Sequence, residues 1–466
     1  MAPIHFSKRS LFSLLSVILA CSLTACSARP PGSSSAVSAA RDYALAEAAY
    51  PKSAPYPDEG AYTNAATGEI KKSFYDAYDA WNEERRERFE QAASYEGKLT
   101  GFLQKSIPQF LSGQETENRI YSPLNVYLAL GMLAELADGN SRRQILDLLG
   151  TDSIQELRTL AAALWNANYC NDGATTSILA SSLWLSQDVK FVPSTLEQLA
   201  DTYYASSYQG QMGSEELNKA LEAWLNEQTG GLLEEQASGL ELDADTVLAL
   251  AATIYFRAKW GSEFSEGNTS QEIFHGPEQD IPCDFMYQSG SQEYYWGDKF
   301  SATAKYLENG GAMWFLLPDE GVSVDKLLED EETMRFLTEK ENWENQMYLT
   351  VNLSVPKFDA ASDLDLTADL KALGITDVFD SAVSDFSPAA KDAEGLFLSQ
   401  AKHAARVAID EKGCIAAAYT VMAVCGAGEP PQPHEEIDFI VNRPFLFAIT
   451  GSDGLPLFMG VVNRPK

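Results

Sequence analysis

Residues Asp245 to Trp260 read DTVLALAATIYFRAKW, and nothing from Thr246 to Phe256 is charged in a chain where Asp, Glu, Lys and Arg make up 22%. A run of this length, rich in β-branched and aromatic residues, predicts a strand buried on both faces. Three more runs share the pattern: GAMWFLLP, MYLTVNLSVPKF and DFIVNRPFLFAIT, the second with partial alternation. Helices are interleaved with them. In RIYSPLNVYLALGMLAELADGNSRRQILDLLG, Ser122 can cap a helix with Pro123 at its first position. Apolar spacing then continues to about Ala137, and Ser141 starts a second helix that ends at Gly150. PSTLEQLADTYY and DLTADLKALG predict two further capped helices. Strands and helices alternate without a βαβ rhythm, so an α+β fold with large sheets is expected.

The N-terminus has a different logic. Lys8 and Arg9 precede the apolar run LFSLLSVILACSLTAC, a short positive region before a core too short to span a bilayer comfortably. This is the pattern of a secretion signal over residues 1–25. LTAC, at Leu23 to Cys26, resembles the bacterial lipoprotein box, which implies lipidation of Cys26 and anchorage to the outside of a bacterial membrane. Plain cleavage and free secretion is the alternative. From Ser27 to about Ile70 the chain is Ala-, Ser-, Pro-, Gly- and Tyr-rich without apolar periodicity, as in a flexible tether. A polar, helical stretch follows to about residue 90, and a single mixed domain is expected over 91–466.

Composition excludes several functions. With 34 basic against 67 acidic residues, net −33, the chain is unsuited to nucleic acid, heparin-like polyanions or anionic headgroups. Behind the signal only His275, His403 and His434 remain, and there is no G-x-S-x-G, H-E-x-x-H, P-loop or G-x-G-x-x-G after a strand. An extracytoplasmic hydrolase therefore has no motif in its favour. Cys170, Cys283, Cys414 and Cys425 form no metal-ligand spacing and are expected as free thiols. Neither metal nor cofactor is expected.

One stretch is left over. EKGCIAAAYTVMAVCGAGEPPQPHEE, Glu411 to Glu436, has no charge from Gly413 to Gly428 and no proline before Pro430. Every residue there can donate to a β-ladder. Alternate side chains from Cys414 are Cys414, Ala416, Ala418, Thr420, Met422 and Val424, none charged. Such a segment is strand-competent yet runs into an exposed Pro-rich loop.

The blocks around it carry a family resemblance. FIVNRPFLFAITGSDGLPLFMGVVNRP, Phe439 to Pro465, is similar to the C-terminal signature of the serpins, the serine protease inhibitors. WLNEQTGGLL, AATIYFRAKW with Trp260, GAMWFLLPDEG, SVPKFD, DLKALGITDVF and DEKG fall in the same family's order. The resemblance spans roughly 370 residues. It implies a large central mixed or antiparallel sheet, further sheets, about eight to nine helices and an exposed reactive-centre loop over about 411–436.

It also implies a mechanism without catalysis by this chain. A serine protease cleaves the loop and forms a covalent 1:1 acyl-enzyme on its own serine. The cut loop then inserts into the main sheet and deforms the protease before hydrolysis. About a dozen new ladder hydrogen bonds at ~0.5–1.5 kcal/mol net each would release on the order of 10 kcal/mol. The hinge would be Glu411, Lys412, Gly413, Cys414, Ile415, Ala416, Ala417 and Ala418. The scissile bond would be Ala427–Gly428, with Cys425–Gly426 and Gly426–Ala427 as alternates. A small residue before the bond suits elastase-like or subtilisin-like proteases, and a cysteine protease remains open. At the top of the sheet the resemblance assigns Lys305 as partner of Glu411, beside Trp260. Beneath the sheet it assigns Ser122 and His403, with Asn125 supplying an amide where Ala252 replaces the usual asparagine. A monomer is expected. The alternative function within the family is a non-inhibitory binding or structural protein.

Overall fold

The computed structural model describes residues 13–22 (backbone course only), 40–64, 67–95, 97–113, 115–231, 233–238, 240–339, 343–391, 394–414 and 435–465. Two nine-stranded sheets and the helices around them share one hydrophobic core, an α+β architecture. The first sheet runs β13 (Phe358–Asp365), β14 (Leu396–Ile409), β1 (Ser13–Ser22), β7 (Thr246–Lys259), β5 (Thr176–Ser186), β6 (Ala205–Gly210) and β2 (Ala44–Ala46). Off this path, β15 (Gly413–Cys414) pairs with β7 and β4 (Cys170–Asn171) pairs with β5. The uncharged run Thr246 to Phe256 lies in β7. Only Arg257 and Lys259 within it escape full burial, as a strand covered on both faces requires.

The second sheet runs β16 (Glu436–Ile440), β12 (Gln346–Pro356), β9 (Asp280–Trp296), β10 (Phe300–Tyr306), β11 (Ala312–Pro318), β17 (Phe445–Thr450), β18 (Pro456–Val462) and β3 (Arg119–Tyr121), with β8 (Thr269–His275) on β9. The run DFIVNRPFLFAIT, expected as one strand, is two: β16 ends at Ile440, and β17 begins at Phe445 after Asn442, Arg443 and Pro444. Proline cannot donate to a ladder, and Arg443 turns aside to donate from Nε and Nη2 to the Pro318 carbonyl.

Capping organises the helices. Ser122 is the N-cap of a helix over Pro123–Leu136, and its Oγ accepts from the Asn125 amide at 3.2 Å. Every residue of that helix is buried, and it packs against β7 and β18. The next helix begins at Gly139, not Ser141, because Ser141 Oγ accepts from the Asp385 amide instead of capping. It ends where expected, at Gly150 with φ 71°, the left-handed turn that suits glycine.

The stretch expected as a loose tether is docked from Ala40 onward. Ala44 and Ala46 extend the first sheet beyond β6, and the Ala48 amide donates to Ser206 Oγ at 2.9 Å. The Tyr50 ring stacks on Trp165, Tyr169 and Tyr204 with centroids 5.7–6.2 Å apart. A long helix, α1 (Lys72–Ala93), follows and packs on α2 (Ile154–Asn168). Trp81 on α1 is buried and donates from Nε1 to Asp172 at 3.0 Å. The Tyr95 hydroxyl then bonds Asp453. The aromatic anchors of this segment have no regular spacing, which is why periodicity does not reveal them.

Candidate functional site

β14 and β7 run in the same direction and are separated by one strand position. Residues Ser13–Ser22 occupy most of it, parallel to both, with Leu14 opposite Thr246 and Phe397 and Ser22 opposite Tyr255 and Arg406. The upper end of the same position is taken by β15. Two strands that lie parallel but are not adjacent define a slot into which a further strand fits.

The turn that leads into the slot is built from Asp410 to Gly413. Asp410 Oδ1 accepts from the amides of Lys412 at 2.8 Å and Gly413 at 3.1 Å, while the Asp410 amide donates to the Gly413 carbonyl at 3.1 Å. This side-chain turn reverses the chain directly after β14. Gly413 then pairs with Lys259 and Cys414 with Ala258, antiparallel to β7. A Cβ on Gly413 would stand 2.4 Å from the Ala258 carbonyl oxygen, so only glycine permits this approach. Cys414 is completely buried, and burial pushes its thiol well above the usual range.

Trp260 fastens the turn from the other side. Its indole donates to the Asp410 carbonyl at 2.8 Å, and its amide donates to the Lys412 carbonyl at 3.1 Å. The Phe264 amide holds the Glu411 carbonyl at 2.9 Å. The Glu411 carboxylate receives Lys357 Nζ at 2.6 Å and Thr269 Oγ1 at 2.7 Å. Burial alone would raise this carboxyl, but the bonds from Lys357 and Thr269 outweigh it and hold the group below its ordinary value.

The partner of Glu411 is therefore Lys357, not Lys305. Lys305 lies within β10, 6% exposed, with Nζ bonded to Gln288 and 4.6 Å from the centroid of the Phe264 ring. Burial pulls its ammonium down to about 8. Lys357 lies in the family-like block SVPKFD, where β12 passes into β13, and that junction brings it beside the end of β14. The resemblance singles out Lys305, while Lys357 lies unremarked in the block SVPKFD, and only the crossing of chains at the top of the sheet brings Lys357 to Glu411.

Beneath the slot, the Ser122 amide donates to His403 Nε2 at 3.0 Å, and Asn125 Nδ2 donates to the Ala252 carbonyl at 3.2 Å. The helix starting at Pro123 is thereby tied to β14 through His403 and to β7 through Ala252, one bond to each wall of the slot. With Nε2 accepting, the His403 proton sits on Nδ1, which is buried without a partner; burial lowers the imidazole to about 3, so it is neutral at physiological pH. Ile415, Ala416, Ala417, Ala418, Cys425, Gly426, Ala427 and Gly428 lie outside the described residues, as does Cys26. Cys170, Cys283 and Cys414 are unpaired thiols.

A large sheet has one strand position between β7 and β14 filled by Ser13–Ser22, and a glycine turn after β14 enters the end of that position. Comparison with known proteins identifies the architecture. Residues 99–465 match the family model "Serpin (serine protease inhibitor)", and the chain belongs to the serpin family. Mouse neuroserpin is 30% identical over 368 residues, covering 76% of this chain and 87% of that one. The pig leukocyte elastase inhibitor is 30% identical over 359 residues, covering 75% and 93%. The native-state crystal structure of the thermophilic serpin tengpin superposes with a TM-score of 0.69 at 25% identity, covering 79% of this chain and 93% of that one. The family includes protease inhibitors that form complexes with serine proteases, and a serpin is not a catalyst.

Proposed function

We propose that this serpin is inhibitory and traps serine proteases by inserting its cleaved loop between β7 and β14. The observation that carries the reading is the register of β15. Gly413 opposite Lys259 and Cys414 opposite Ala258 give partner numbers that add to 672. Continued without a bulge, the same register sets Gly426 opposite Thr246, the first residue of β7. The loop from Gly413 to Gly426 then matches the 14 residues of β7 end to end. The Ala427–Gly428 bond falls just past that match, where a protease can reach it before insertion. In that register the alternate set from Cys414 to Val424 shares one face of the inserted strand and carries no charge, so that face can lie against the core.

The alanine before the bond favours an elastase-like or subtilisin-like target, whose primary pocket is small or apolar. Tethering through lipidated Cys26 would hold the inhibitor at the outer face of a membrane. Residues Ser13–Ser22 belong to the segment removed with such a signal, and their removal vacates the slot for the loop.

The test is to mix protein beginning at residue 26 with an elastase and resolve the products on a denaturing gel. An SDS-resistant band of summed mass is the expected result. Cleavage of the loop without that band would make the chain a substrate and overturn the proposal, and an uncut loop would overturn the bait assignment.

A further inference from the structure

The second sheet leaves one face open where the loop returns to the fold. In the antiparallel ladder of β12 and β9, Tyr348 lies opposite Glu293, Asn352 opposite Ser289 and Ser354 opposite Tyr287. In the parallel ladder of β12 and β16, Thr350 lies opposite Glu436, Asn352 opposite Asp438 and Ser354 opposite Ile440. Residues directly opposite one another share a face. The intervening residues of β12, Leu349, Val351 and Leu353, are buried in the core, so this row is the outer one. Tyr348, Tyr287 and Ile440 stand exposed on it.

The face carries one sign of charge. β9, β12 and β16 contain no Lys, Arg or His. Asp438 accepts from Asn352 Nδ2 at 2.9 Å, and Asn352 Oδ1 accepts from Ser289 Oγ at 2.8 Å and Tyr287 Oη at 3.3 Å. Glu293 accepts from the hydroxyls of Tyr306 at 3.2 Å and Tyr295 at 3.3 Å. These donors are neutral, and among the described residues no cation stands within 4.0 Å of Glu293, Glu436 or Asp438. In the same row Ser354 is 6% exposed and its Oγ has no partner, a hydroxyl left for a docked chain to satisfy. Carboxylates held in place among exposed tyrosines complement an arginine-bearing surface, because a guanidinium pairs with carboxylate and stacks on phenol.

Chain length says what comes to this face. The Thr350 amide holds the Glu435 carbonyl at 3.0 Å, immediately before β16. Eight residues, Gly428 to Glu435, lead from the Ala427–Gly428 bond to that anchor. Fully extended they reach ~29 Å. A protease of ordinary domain size is about 40 Å across, so one that holds the bond is leashed beside the open face.

We propose that this face docks the target protease through a basic, arginine-bearing surface beside its active-site cleft, and so selects cationic members among small-residue-cleaving proteases. The proposal rests on the inhibitory reading above. Docking precedes cleavage, so it sets the rate of association and not the trapping step. The probe is a cationic elastase mixed with protein beginning at residue 26, and the readout is the second-order rate of its inactivation. For the parent that rate should fall as salt is added. Glu293→Gln, Glu436→Gln and Asp438→Asn, combined, should lower it about tenfold at about 50 mM salt and remove most of its salt dependence. The yield of SDS-resistant complex should stay the same. A control combining Glu197→Gln, Asp201→Asn and Glu216→Gln removes the same charge from other elements and should stay within about twofold of the parent. All six side chains are exposed, so both variants should keep the parent Tm. Equal rates for parent and first variant overturn the docking face and leave the inhibitory reading intact. An equal loss in the control reduces the effect to net charge and overturns the docking face as well. A loss that salt does not alter overturns the basic partner. A parent that sediments as a dimer, with a monomeric variant, gives the face to a second copy instead. If no protein forms complex, the inhibitory reading falls and this proposal with it.

Discussion

Lys357 Nζ stands 2.6 Å from Glu411 Oε1, and this ion pair joins the junction of β12 and β13 to the end of β14, where the loop begins. The Glu411 side chain is 11% exposed and that of Lys357 is 30% exposed, so solvent screens the pair only in part. Glu411→Gln should lower stability by about 1–2 kcal/mol at pH 7. The sign with pH follows from the depressed carboxyl. Its contribution is full above the unfolded value of about 4.3 and fades as pH falls through the lower folded value. Urea titrations of parent and Gln variant should therefore converge in acid; a constant gap from pH 7 to pH 3 would exclude ionisation of Glu411 as its cause.

Cys414 is fully buried against β7, at the position from which the loop would continue downward. Cys414→Arg places a guanidinium where no acceptor is provided, and an unpaired charge does not enter a core. The variant should fold, with the hinge displaced, and should be cut by elastase without forming the SDS-resistant complex. Cys414→Ser, small and uncharged, should keep it. If the Arg variant traps protease as well as the parent, insertion through Cys414 is not the trapping step.

Local features of the structure were legible in sequence; features set by distant crossings were not. β7 is evident because burial on both faces demands an uncharged run. The helix at Pro123 is evident because its serine cap and proline first turn are adjacent in sequence. Gly413 stands out in sequence as a freely turning hinge residue at the head of an uncharged run, whereas its close approach to the Ala258 carbonyl is visible only in the structure. The choice between Lys305 and Lys357 depends on where β12 crosses the end of β14, which no local pattern encodes. Docking of residues 40–62 was hidden for another reason: Tyr43 packs on the core, Tyr50 stacks on Trp165 and Tyr56 meets Trp81 edge-on at 5.4 Å, separate anchors in a Pro- and Ala-rich background that resembles a linker.

Those anchors give a direct test. Tyr50 stacks on three rings, and within that group Trp165 and Tyr204 are 3.7 Å apart, centroid to centroid. Tyr50→Ala should cost about 2–3 kcal/mol, below the full value for a core aromatic because the residue is half-buried. A matched substitution in a free tether would change nothing. Thermal unfolding of the two proteins side by side separates these outcomes, and an unchanged Tm would mean that the segment does not dock.

Asn125 is 2% exposed and sits between the walls of the slot, its amide nitrogen on the Ala252 carbonyl and its backbone nitrogen on Ser122 Oγ. Asn125→Ala removes the first bond, takes a buried carbonyl's donor away and opens a small void. Together these should cost about 1–3 kcal/mol, a few degrees in Tm for a domain of this size. Asn125→Asp keeps the shape but turns an acceptor toward an acceptor, so it should cost more than alanine. That ordering matters because a purely steric role predicts the reverse, with aspartate tolerated and alanine penalised for its cavity. Asp at or above Ala in Tm would therefore reject the hydrogen-bonding role of Asn125 and leave only its volume.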